Sequence, residues 1–173
     1  MDEDRIEVRR IRRDEWKRLR EVRLAALAEA PLAFITTLDE AAAHPDALWK
    51  ERAEAGADSM TQATFLATAG DRTVGLAVGV DRTATAPGVV AVVSVFVSSD
   101  VRRRGVASRL MTEVETWAGS IGGTTLSLWV VDGNEAAARL YAGIGYRMTL
   151  DRQRINIPPQ RWETRMVKDL IVD

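Results

Sequence analysis

The 173-residue chain has no cysteine, which removes a disulfide framework, a thiolate metal site and a cysteine nucleophile together. A reducing compartment is compatible with that absence. It has one histidine, His44, which precedes Pro45 in a predicted loop and reads as a surface residue rather than a base. No sign of charge dominates: 24 lysines and arginines stand against 25 acidic residues, a net charge of −1. The molecule as a whole therefore has no field to attract phosphate backbones, and bulk nucleic-acid binding is disfavoured. Long apolar runs are also missing. The longest, Val89 to Val97, is interrupted by Ser94 and falls far short of the roughly 20 residues that span a bilayer. The opening "MDEDRIEVRRIRRDEW" is densely charged and lacks the apolar centre of a signal peptide. The expectation is a soluble, cytoplasmic protein with no membrane or nucleic-acid partner and no metal.

What is present suits one domain over residues 1–173, since 46% of the side chains are hydrophobic, enough for a core that folds alone. No internal repeat or low-complexity linker interrupts it. "RIEVRRI" alternates Ile6, Val8 and Ile11 with charges, as a half-buried opening strand does. Asp14 is placed to cap a helix in which Trp16, Leu19, Arg20, Val22, Arg23, Leu24 and Leu27 give one apolar face, ended by Pro31. A second, alanine-rich helical stretch covers Asp39 to Glu54, broken at "HPD". Strands are predicted at Thr64–Ala69 and Thr73–Val80, joined by a turn at Gly70-Asp71, and at Val89–Val97. From Gly105, the residues Val106, Leu110, Val114 and Trp117 fall on one helix face. "TTLSLWVV" is the next strand, Asn134 to Ile144 the next helix, and "YRMTL" and "ETRMVKDL" are closing strands around "IPPQ". The order describes a mixed α/β sheet with helices on its faces.

Three consecutive arginines, Arg102 to Arg104, precede Gly105 where an apolar strand runs into a helix. A helix N-terminus presents backbone N–H groups without intrahelical partners at the positive end of its dipole, so it can hold a phosphate or pyrophosphate. Gly105 lets the backbone approach a ligand, and the small Ala107 does not obstruct it. The P-loop needs a lysine followed by serine or threonine, and the dinucleotide fingerprint needs three spaced glycines; neither pattern is present. On pattern alone, a charged helix start with no ligand stays open. Farther on, Tyr141 lies seven residues beyond Asn134 on the same helix face. Taken singly, Asn134 reads as an N-cap and Tyr141 as a core aromatic.

Together these segments resemble the GNAT superfamily of N-acetyltransferases. "VFVSSDVRRRGVASRL" is similar to that family's acyl-CoA pyrophosphate loop, Q/R-x-x-G-x-G/A, with Arg102, Gly105 and Ala107 in the matching positions. "NEAAARLYAGIGY" resembles its later N-x-x-A-x-x-L-Y-x-x-x-G-F/Y segment at Asn134, Ala137, Leu140, Tyr141, Gly145 and Tyr146. The resemblance is strong over Val89–Leu150 and looser elsewhere. It implies a mixed, mostly antiparallel sheet flanked by helices, with splayed strands forming an acyl-CoA cleft. It also implies a loop made of Arg102, Arg103, Arg104, Gly105, Val106, Ala107 and Ser108 around the pyrophosphate of acetyl-CoA. The backbone of Val95 and Val97 would pair with pantetheine, Asn134 would hydrogen-bond the cofactor arm, and Tyr141 would sit near the sulfur as proton donor. Arg103 departs from the many relatives with glycine there, so its side chain must point away from the cofactor.

The implied reaction is attack of an amine on an acetyl thioester in a ternary complex, with no covalent enzyme intermediate. The amine must be neutral, yet an alkylammonium has a pKa of about 10.4 and needs a base or a water relay. The Val95 N–H would stabilise the developing oxyanion. Many relatives carry a glutamate on the strand before the loop, whereas "VVAVVSVFV" has no carboxylate. Ser94 could anchor a water relay. Asp39, Glu40, Asp132 and Glu135 are the nearest acidic candidates by segment, each also readable as a capping or solvated group. Trp16, Trp117 and Trp129 read as packing, while Phe34 and Trp49 lie in the region that lines the acceptor pocket of similar proteins. The acceptor is a small molecule or a protein or peptide amine. Two alternatives remain: a non-catalytic acyl-CoA-binding regulatory protein, and a nucleic-acid binder using the arginine cluster with Arg5, Arg9, Arg10, Arg12 and Arg13. Homodimerisation through the C-terminal strands is common in similar proteins, but nothing in this sequence establishes it.

Overall fold

The computed structural model describes residues 5–170. The first four residues of the charged N-terminus and the last three of the chain lie outside it. Period-two alternation builds the sheet and period 3.6 builds its covering. The elements run β1 (Ile6–Arg10), α1 (Trp16–Glu29), α2 (Leu38–Ala42), α3 (Asp46–Asp58), β2 (Gln62–Ala69), β3 (Arg72–Asp81), β4 (Val89–Val97), α4 (Val106–Ser120), β5 (Thr125–Val131), α5 (Glu135–Gly143), β6 (Arg147–Ile155) and β7 (Arg161–Asp169). The seven strands form one sheet in the order β1-β2-β3-β4-β5-β7-β6. All pairings are antiparallel except β4 with β5.

Both faces of the sheet centre are covered, so β2 reads as an almost unbroken buried run. Ala63, Phe65 and Ala67 belong to the core beneath α4, with Leu110 and Val114 of that helix. Leu66 belongs to a second core with Leu19, Val22, Trp49 and Ala53 of α1 and α3. Gly79 explains how closely α4 sits: a Cβ there would lie 2.7 Å from the Trp117 ring. No helix among the described residues is long and apolar enough to cross a membrane.

One local expectation differs. Asp14 does not cap α1; Glu15 precedes the helix and makes no cap bond to it. The Glu15 carboxylate instead accepts from the Arg12 N–H at 2.9 Å and from both terminal nitrogens of Arg9 at 2.8 and 2.6 Å. A guanidinium fork offers that carboxylate more than one helix N–H could. The alanine-rich stretch breaks at "HPD" as expected: Thr37 and Glu40 form a reciprocal capping box that starts α2, and Pro45 restarts the chain as α3.

Candidate active site

The strand-to-helix junction carries a strained backbone. Arg103 has φ 61° and Gly105 has φ 75°, both left-handed, before α4 begins at Val106. Only glycine adopts that conformation freely, and no atom lies within 4 Å of where a Gly105 Cβ would be, so the space above it is open. No side chain caps α4. Among the described residues, the N–H groups of Arg103, Gly105, Val106, Ala107 and Ser108 donate to no acceptor. These orphaned donors converge on one helix start, an arrangement that fits a pyrophosphate.

The arginine side chains divide their work. Arg102 Nε donates to the Val97 carbonyl at 3.1 Å, and its guanidinium is ion-paired with Glu29 at the end of α1. It therefore ties the loop to β4 and α1. Arg103 and Arg104 are exposed.

The cleft beyond the loop comes from strand geometry. β4 and β5 pair only at Val89–Ala91 with Thr125–Ser127 and then diverge. Opposite Leu76 to Val78 of β3, β4 spends one extra residue between Val93 and Phe96. Ser94, in this bulge, has φ 56°, and the bend turns β4 away from β5. The opening is a cavity of about 380 Å³ whose walls include Val95, Asn134, Tyr141 and Glu163. Asn134 Oδ1 caps α5 by accepting from the Ala137 N–H at 3.2 Å. Val97 is half-buried at the edge of the strand pair and does not line the cavity. Tyr141 is 8% exposed, its ring 5.8 Å from that of Tyr146. Burial pushes its hydroxyl up to about 12, so it is protonated at neutral pH.

None of the acidic residues nominated by segment lines this cavity. Glu40 is held in the α2 capping box, and Asp39 is exposed in the same helix turn. Asp132 accepts from the Thr164 hydroxyl at 2.8 Å and is ion-paired with Arg152, and Glu135 pairs with Arg139 at 3.1 Å. The carboxylate that does line it is Glu163 of β7, 6% exposed, which accepts a hydrogen bond from the Gln153 amide. The sequence reading missed it because the strand that brings it there is closest to β5 in space and last in the chain. Ser94 Oγ accepts from Arg23 at 3.3 Å, and Arg23 lies 4.5 Å over the Phe34 ring. Trp129 is 38% exposed and lines the cleft rather than packing inside. His44 packs edge-on against Trp49 at 6.1 Å.

Three of the N-terminal arginines serve the fold. Arg9 pairs with Glu15, Arg10 donates to the carbonyls of Gly56, Ser59 and Gln62, and Arg13 pairs with Asp58.

The fold is shared with solved acetyltransferases. A GNAT-family acetyltransferase from Streptococcus pneumoniae superposes with a TM-score of 0.83 at 19% identity, covering 96% of this chain and 100% of the other. YncA from Salmonella typhimurium, solved with its cofactor acetyl-CoA, gives 0.79 at 15% identity over 97% and 95%. The ribosomal-protein-S18-alanine N-acetyltransferase of Escherichia coli gives 0.69 at 13% identity over 98% and 96%. No curated protein sequence matches the chain. The family model described as Acetyltransferase (GNAT) family matches residues 16–146, a span that holds the loop, the bulged strand and Tyr141, and the chain belongs to that family.

Proposed function

We propose that the protein transfers the acetyl group of acetyl-CoA to a primary amine bound in the same cleft. The observation that carries this is that β4, whose parting from β5 opens a cavity lined by Tyr141 and Glu163, runs in the chain directly into the unpaired N–H groups around Gly105. Acetyl-CoA supplies an activated acetyl thioester; the protein supplies position and proton handling. The loop at Arg102–Ser108 holds the pyrophosphate through backbone donors, and the separated edge of β4 leaves the Val95 backbone for the pantetheine arm. Asn134 keeps its amide nitrogen for that arm while its oxygen caps α5.

The amine arrives as an ammonium and has to lose a proton before its lone pair can attack. Glu163 is the acceptor for that proton, directly or through a water. The neutral amine then adds to the thioester carbonyl, with the Val95 N–H facing the oxyanion that forms; as the oxyanion collapses and the C–S bond breaks, the nitrogen's second proton, relayed by water, replaces the one Tyr141 gives to sulfur. Tyr141 donates to the departing sulfur. The burial that keeps its hydroxyl protonated also disfavours a bare thiolate beside it, so donor and acceptor are matched. Two proton-handling groups in one cleft favour turnover over a purely regulatory acyl-CoA-binding role. The test is release of coenzyme A thiol from acetyl-CoA in the presence of a panel of amines and peptides. Acetylation of one acceptor class supports the reading, and thiol release that no amine accelerates contradicts it.

A further inference from the structure

A second cavity of about 240 Å³ opens from the first, sharing Arg23, Thr36, Val93 and Ser94 with it. Its charge is one-sided. Arg23 and Arg52 line it, and no aspartate or glutamate does. Among the described residues neither arginine has an ion-pair partner. Arg23 has only the Ser94 hydroxyl and the Phe34 ring, and Arg52 lies 5.2 Å over the Trp49 ring. The two cations are near enough that Arg52, after burial itself, pushes the Arg23 pKa down. Trp49 lines the same cavity, is 1% exposed, and has an indole N–H with no acceptor. Other half-buried arginines meet a carboxylate, as Arg9 does Glu15 and Arg165 does Asp151, or backbone carbonyls, as Arg10 does. Two guanidiniums left together without an anion are unfavourable unless a ligand brings one.

We infer that this cavity recognises an acidic group on the acceptor, so that the substrate is a small amine bearing a carboxylate or a similar oxyanion. The inference rests on the acetyl-transfer reading and names its acceptor. The anion sits at Arg23 and Arg52, and the amine extends into the first cavity toward Glu163. The lining of that cavity thus includes both a cation, Arg23, and a carboxylate, Glu163, charges complementary to those of a zwitterionic amino acid. A peptide N-terminus presents its first carbonyl as a neutral amide, so only an acidic side chain could supply that anion.

The test compares α-amino acids, ω-amino acids and aminoalkylphosphonates with their neutral amides or esters, by thiol release and by melting-temperature shift in the presence of coenzyme A. At least one charged member should exceed its neutral counterpart by 100-fold or more in kcat/KM. Arg52→Gln should shrink that ratio to below 10-fold through KM, and Arg52→Lys should restore most of it. Equal use of charged and neutral acceptors, a ratio unmoved in Arg52→Gln, or no charged member that binds or reacts overturns the inference. Acetyl-CoA titration by calorimetry on the same proteins separates the two failures: retained cofactor binding leaves the transfer reading standing, and lost binding removes both.

Discussion

Gln153 of β6 and Glu163 of β7 are register partners, and the Gln153 amide donates to the Glu163 carboxylate at the wall of the cleft. This pairing gives a β7 residue a fixed orientation in a cleft opened by β4 and β5. Glu163→Gln keeps the shape and removes the proton acceptor. It is expected to lower kcat by about 100-fold or more while acetyl-CoA affinity stays within a factor of two or so. Steady-state kinetics beside a calorimetric titration checks this, and an unchanged kcat would take Glu163 out of the proton path.

Tyr141→Phe removes one hydroxyl from an apolar site and should fold normally. The expected result is a loss in kcat of about 10- to 100-fold, with cofactor affinity nearly constant. Because burial pushes the hydroxyl up to about 12, the wild-type rate should show no decline attributable to Tyr141 below about pH 11. A falling limb near pH 9 that vanishes in the phenylalanine variant would show that the hydroxyl ionises earlier than its burial allows.

Tyr141 and Tyr146 are both raised above the ordinary value of 10.0, chiefly by burial. A group whose folded pKa is raised contributes stability that is complete below its unfolded pKa and is lost as pH climbs toward the folded one. Stability should therefore fall from about pH 10 upward, by as much as about 2.7 kcal/mol per pH unit if both titrate on unfolding. Urea denaturation at pH 9, 10 and 11 measures the slope. Tyr146→Phe should halve it, and a flat profile would contradict the burial of both rings.

Glu15 behaves in the opposite sense. The Arg9 hydrogen bond holds its carboxyl down from 4.5 to about 2, and its side chain is only 11% exposed. A lowered pKa stabilises above the unfolded value, and the contribution disappears as pH falls through 4.5 toward 2. Glu15→Gln should cost up to about 3 kcal/mol at pH 7 and less than about 0.5 kcal/mol at pH 2, read by denaturant midpoints at the two pH values. An equal cost at both would assign the effect to packing.

The loop is tested at its glycine. Gly105→Val meets no protein atom but must hold φ 75°, a strain of roughly 1–3 kcal/mol, and it fills the space a pyrophosphate would take. Coenzyme A affinity should drop at least about 10-fold while the protein stays folded. Full-strength binding would remove the loop from the site.

Much of this arrangement was legible in the chain. β4 is found at its predicted limits, and the strand-to-helix junction at Gly105 and the helix opened by Asn134 follow from periodicity and turn chemistry. Those features are local, governed by a few consecutive residues. Glu163 was not legible, because its place depends on β7 entering between β5 and β6, a pairing between residues far apart in sequence. The same holds for the meeting of Arg23 and Arg52: periodicity puts Arg23 on the packed face of α1, but its nearness to Arg52 depends on α1 and α3 packing on one sheet face. Asp14 shows the converse: a correct capping residue type was displaced when Glu15 found Arg9.

The most direct test of the central claim is a calorimetric titration of acetyl-CoA into the wild-type protein. The account predicts saturable binding at one site per chain that is weakened by Gly105→Val and left intact by Glu163→Gln. Absence of binding to the wild-type protein, or binding indifferent to Gly105→Val, would contradict it.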